Sequence, residues 1–132
     1  MSKSAIICVD DEVLVLDSLE IELKKAFNGN YHLETAENAD EALEIIEELQ
    51  EESIETVVIV SDWLMPGLKG DEFLIEVHKK YPNIIKIMLT GQADNAAIER
   101  AKIQANLHHC LQKPWNARDL IETIKSGLGN YE

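Results

Sequence analysis

The chain has 132 residues, 25 of them acidic and 12 basic, for a formal net charge of −13, and 45% of them are hydrophobic. That length suits one domain with a core that needs no metal or disulfide staple, and that acidity argues against nucleic acid or an anionic membrane as a direct partner. No apolar run approaches bilayer-spanning length, and only five apolar residues separate Ser4 from Asp10, short of a secretory signal, so a soluble cytoplasmic domain is expected.

Apolar runs and amphipathic stretches alternate five times along the chain, with no linker or repeat between them. Ala5–Val9 is wholly apolar and suits a strand buried on both faces. Leu16, Leu19, Leu23 and Ala26 recur at helical spacing until Asn28-Gly29-Asn30 ends the helix. Tyr31–Ala36 alternates and reads as a peripheral strand; Asn38 is an N-cap candidate for a helix burying Ala39, Ala42, Leu43, Ile46 and Leu49. The acidic run Glu47–Glu55 reads as a solvated helix end and loop. Thr56–Val60 is a central strand and Ser61–Lys69 a loop; Phe73, Leu74, Val77 and Tyr81 mark a helix stopped by Pro82. Ile84–Leu89 is the fourth strand, and Asp94 to about Gln104 a helix with a small-residue face of Ala97, Ala101 and Ala105. Leu107–Leu111 is the fifth strand, and Leu120, Ile121, Ile124 and Leu128 line the last helix. Strict βα alternation implies a doubly wound, three-layer α/β sandwich with a parallel sheet.

Ligands of such sheets bind at the carboxyl ends of the strands. There the chain places Asp10, Asp11 and Glu12 after the first strand, Asp62 after the third, Thr90 after the fourth and Lys113-Pro114 after the fifth. Glu37 and Asn38, after the peripheral strand, fall away from this cluster. Three crowded carboxylates repel one another, and a hard divalent cation such as Mg²⁺, or Mn²⁺ in its place, relieves the repulsion. A lysine and a threonine hydroxyl opposite them complete a cage for phosphoryl oxygens, and Asp62 becomes a carboxylate nucleophile for phosphoryl transfer.

The set Asp10-Asp11, Asp62-Trp-Leu-Met65-Pro66-x-x-x-Gly70, Thr90-Gly91 and Lys113-Pro114 resembles the receiver domain of two-component response regulators, from the first strand to the last helix. The resemblance implies a flavodoxin-like sheet in the order 2-1-3-4-5. It implies that Asp62 is the phosphoacceptor, and that Asp11, Asp62 and the Leu64 backbone carbonyl hold Mg²⁺ directly, with Asp10 acting through a water. Thr90 and Lys113 then hold phosphoryl oxygens, the Lys113–Pro114 peptide is cis, and Leu64 and Gln92 tune the lifetime of the phosphoryl group. A bulky Leu64 should hinder the attacking water and lengthen that lifetime. Cys110 departs from the pattern, since receivers usually carry Tyr or Phe there, and it puts the usual coupling to the threonine in question.

The expected function is a phosphorelay switch: a histidine kinase or phosphotransfer protein donates to Asp62, and a face made by the fourth helix, fifth strand and fifth helix signals to an output domain or effector. That face, with its alanine-rich helix, is also the expected homodimer surface. The alternatives are a phosphorylation-independent interaction module, motivated by Cys110, and an aspartate-nucleophile phosphatase, disfavoured because Leu64 stands where such enzymes carry a second acid. A switch of this kind is not an enzyme, although it takes part in its own phosphotransfer and dephosphorylation. Residues 1–132 are expected to be one receiver, core about 4–128, either standing alone or, the favoured reading, serving as the N-terminal domain of a longer protein. Adjacent His108 and His109 would point to opposite faces of a strand and are not expected to share a metal. Two cysteines, Cys8 and Cys110, are too few for a disulfide framework, and the implied strand order separates them.

Overall fold

The chain alternates between strand and helix as β1 (Lys3–Val9), α1 (Val13–Phe27), β2 (His32–Ala36), α2 (Ala39–Glu51), β3 (Ile54–Asp62), α3 (Gly70–Lys80), β4 (Ile85–Thr90), α4 (Asn95–Gln104), β5 (His109–Gln112) and α5 (Ala117–Tyr131). This computed structural model describes residues 3–65, 67–91 and 95–131, with the backbone alone at 130 and 131. Pro66 of the loop motif, the tuning position Gln92 and the expected helix start Asp94 lie outside the described residues.

All strand pairs are parallel, in the order β2-β1-β3-β4-β5. Helices cover both faces, so the central strands are buried from Ala5, Thr56 and Lys86 to their carboxyl ends. Strand alternation divides the core in two. Ile6, Cys8, Val58, Val60, Ile87 and Leu89 pack against Leu16, Leu19 and Leu23 of α1 and Leu120 and Ile124 of α5. Ala5, Ile7, Val9, Ile59 and Met88 pack against α2, α3 and α4. A register shift between Ala5 and Ile6 leaves Val57 as an extra residue in β3, a local bulge.

Local chemistry ends the helices where the sequence places the signals. Asn28 takes the left-handed conformation at the end of α1, and the Asn38 side chain accepts the Glu41 N–H at 2.8 Å to start α2. Glu47, Glu48, Glu51, Glu52 and Glu55 are all exposed, so the acidic run is a solvated surface.

Three expectations change. Ser61 and Asp62 belong to β3 rather than to the loop, because Asp62 pairs with Leu89 of β4. β5 begins at His109 rather than Leu107, because the Leu107 N–H is still held by the Ala101 carbonyl of α4 after a left-handed Asn106. The alanine face of α4 is not a free surface for a second copy. Ala97, Ala101 and Ala105 are buried, and small side chains there let α4 lie close to its own domain.

Candidate functional site

The sheet register places the site. Val9, Ser61 and Met88 lie level across β1, β3 and β4, so Asp10 and Asp62 emerge side by side. Ladder hydrogen bonds then run one step past the strand ends. The Asp10 N–H donates to the Ala36 carbonyl at 3.1 Å, the Trp63 N–H to Leu89 at 3.0 Å and the Lys113 N–H to Thr90 at 2.8 Å. The site residues are thus held with the rigidity of the sheet rather than of a loop.

Asp10 has no exposed surface and uses both carboxylate oxygens. Oδ1 accepts the Glu12 N–H at 2.8 Å, turning the chain into α1, and Oδ2 lies 2.9 Å from Lys113 Nζ. Helix entry and site chemistry therefore share one residue. The same ammonium lies 2.9 Å from Asp62 Oδ1. Oxygens of Asp10, Asp11 and Asp62 all fall within 4.8 Å of one another. Burial pushes the Asp62 carboxyl up; the Lys113 hydrogen bond pulls it down, and the charges of Asp10 and Asp11 add to the rise. Burial by itself would lower Lys113, yet its hydrogen bonds to Asp10 and Asp62 outweigh that and raise it.

Asp62, Thr90 and Lys113 share the lining of a recess of about 560 Å³ with Asp11, Glu12, Trp63, Leu64, Met65 and Gly91. Leu64 is 52% exposed at its rim. Glu37 and Asn38 line a separate recess on the far side of Asp11, outside the three-carboxylate cluster. Gly70 closes the β3–α3 loop against the acceptor strand: a Cβ there would lie 2.3 Å from the Asp62 carbonyl oxygen. Only glycine permits that approach. The Lys113–Pro114 peptide is cis, in agreement with the resemblance.

The donor set fits a hard divalent cation. Three carboxylates converge on one edge, and the charges of Asp10 and Asp11 add to the burial that raises the Asp62 carboxyl. Asp11, exposed at the mouth, and Asp62 would be the residues to hold it.

The sequence matches the response regulator receiver domain family over residues 6–125. The chain belongs to that family. Among its relatives, the hydrogenase transcriptional regulatory protein HoxA of Cupriavidus necator is 30% identical over 126 residues, which is 96% of this chain and 24% of HoxA. The chain thus spans about a quarter of that curated relative's length. A CheY-like response regulator receiver domain protein from Methanospirillum hungatei JF-1 is 34% identical, with a TM-score of 0.84 over 99% of this chain and 97% of that one. The beryllofluoride-activated NtrC4 receiver domain dimer is 29% identical, with a TM-score of 0.82 over 97% and 98% of the two chains.

Other residues of this receiver sort themselves around the site. Trp63 lines the recess, whereas Trp115 does not; its indole N–H donates to Glu22 at 2.8 Å and joins the start of α5 to α1. Cys110 is half-buried, with its thiol pushed up by burial and pulled back by Lys102. Cys8 is buried and pushed up to about 12, chiefly by that burial, which makes it an inert core residue. Both cysteines are free, on strands separated by β3 and β4. His108 Nε2–H donates to the Thr123 carbonyl, 3.1 Å away, while His109 is exposed.

Two residues escaped the sequence reading. Asp71, in the first turn of α3, looks like ordinary helix-start acidity, and its partners lie 8 and 29 residues away. Lys86 sits within an apolar strand and is 1% exposed. A lone cation in a buried strand was the available signal. No helix among the described residues is long and apolar enough to cross a membrane.

Proposed function

We propose that this receiver is a Mg²⁺-dependent phosphorelay switch in which Asp62 takes a phosphoryl group from a phosphohistidine of a kinase or phosphotransfer protein. The Lys113 ammonium, 2.9 Å from both Asp10 and Asp62, carries this reading, because it places a cation beside the nucleophile and a second carboxylate behind it. An Asp62 carboxylate oxygen forms a bond to phosphorus as the phosphorus–nitrogen bond of the donor breaks. The electron pair returns to the imidazole, which leaves and takes up a proton. Lys113 pairs with a phosphoryl oxygen and the Thr90 hydroxyl donates to another. When bound at Asp11, Asp62 and the Leu64 carbonyl, Mg²⁺ supplies further neutralisation of phosphoryl charge.

The added charge shifts a two-state equilibrium that the α4–β5–α5 face reports to an output domain or effector in the cytoplasm. The activated NtrC4 receiver dimer supports a response of this kind. A homodimer on this face would use the outer side of α4, where Ile103 is 78% exposed, rather than its buried alanines. The chain acts as one receiver within a longer regulator, in keeping with its share of HoxA.

Intact-mass measurement after incubation with Mg²⁺ and acetyl phosphate tests the reading. One phosphoryl adduct is expected, absent without Mg²⁺ and absent in Asp62→Asn. A wild type that takes no adduct would overturn the switch in favour of a phosphorylation-independent interaction module.

A further inference from the structure

Asp71 follows Gly70 at the start of α3, and only 2% of its side chain is exposed. A buried carboxylate is costly unless its oxygens are paired, and here each has a partner from a different element. Oδ1 accepts the indole N–H of Trp63 at 3.0 Å, and Oδ2 accepts Nη1–H of Arg100 at 2.6 Å. Trp63 directly follows Asp62. Its backbone is pinned by the Leu89 carbonyl and by the Gly70 N–H, and Lys69 Nζ stands 5.3 Å from its ring centroid. Arg100 lies within α4, the helix that follows the Thr90–Gly91 turn.

One buried charge therefore joins the residue after the phosphoacceptor to the helix after Thr90. Ion pairs such as Lys24–Glu20, Lys79–Glu76 and Lys102–Glu99 link residues three or four apart on a single helix and tie no two elements together. The Asp71–Arg100 contact is also asymmetric. Arg100 has 47% of its side chain exposed and can exchange its partner for water, whereas Asp71 cannot. Breaking the Asp71–Arg100 contact would leave α4 without this tie to the acceptor loop.

We propose that Asp71 is a positioning residue that couples the state of Asp62 to α4 through the chain Trp63–Asp71–Arg100. The inference rests on Asp62 being the phosphoacceptor, and it specifies how that site would be read.

The test is hydrogen exchange of α4 amides in the full chain, with and without Mg²⁺ and beryllofluoride, alongside intact-mass adduct yield with acetyl phosphate. Wild-type α4 exchange should change by roughly fivefold or more on addition. Arg100→Met and Trp63→Phe break the two joints separately; Arg100→Met should keep the adduct, and in each variant the α4 change at saturating beryllofluoride should fall below about twofold. Arg100→Lys, which restores a cation, should recover part of the response. A response of wild-type size in either Arg100→Met or Trp63→Phe overturns the coupling, even where the variant melts earlier, since a merely structural contact would alter stability alone. A wild type with no adduct fails the receiver reading itself, and the mass measurement separates that failure from the first.

Discussion

Lys113 and Lys86 are both lysines withdrawn from water, and the protein drives them in opposite directions. At the carboxyl edge of the sheet, Lys113 meets Asp10 and Asp62 at 2.9 Å each and is raised despite its burial. Within β4, Lys86 donates to the Ile84 carbonyl at 2.6 Å and, among the described residues, has no carboxylate partner. Burial lowers it to about 8. A neighbouring His78, itself lowered first by burial and then by the Lys86 charge, shows the same field from the other side. The pair shows that partners, rather than depth, decide which way a buried lysine is shifted. The charged edge is where chemistry is possible, and the lone lysine is a cost the core bears.

Removing Lys113 should break the comparison most forcefully. Lys113→Ala leaves the buried Asp10 facing Asp62 without a cation, and urea unfolding in metal-free buffer should show a loss of about 3 kcal/mol. Mg²⁺ should recover part of it, because a cation again sits among the carboxylates. Lys86→Met is expected to move stability the other way. The unfolded chain protonates Lys86 at its ordinary 10.5 and the folded chain at about 8, so the unfolded state holds more protons between those values. Wild-type stability therefore rises with pH across that window, while below it the full penalty remains. The variant should lack this rise and be more stable near pH 7 by up to about 3 kcal/mol, as denaturation at several pH values would show.

Space sharpens the contrast between the charged edge and the rest. Gly70→Ala pushes a Cβ to within 2.3 Å of the Asp62 carbonyl oxygen and should cost about 2 kcal/mol while slowing adduct formation. Gly129→Ala, in α5 with nothing within 4 Å, should instead raise stability by about 0.5–1 kcal/mol through helix propensity, read as a slightly higher melting midpoint.

Most of the fold could be read from pattern. The run Ala5–Val9 suits a doubly covered strand, and Asn28-Gly29 and Asn38 carry their turn and cap chemistry in their own side chains and backbone freedom. Asp62, Thr90 and Lys113 were legible as site residues because a parallel sheet delivers every strand end to one edge, whatever lies between. The end of β3 was less legible. Whether Asp62 belongs to the strand depends on its pairing with Leu89, a long-range hydrogen-bonding choice that no local run announces.

The sequence by itself determined the alternation, the parallel sheet and the edge where the carboxylates gather, because periodicity and turn residues act over a few positions. Only the tertiary structure decided that Asp10 serves both helix entry and Lys113, that the alanines of α4 are spent inside the domain, and that Asp71 holds Trp63 and Arg100 together. Those facts depend on which side chain meets which across separate elements. Burial then sets the strength of each meeting, by removing the water that would otherwise weaken it.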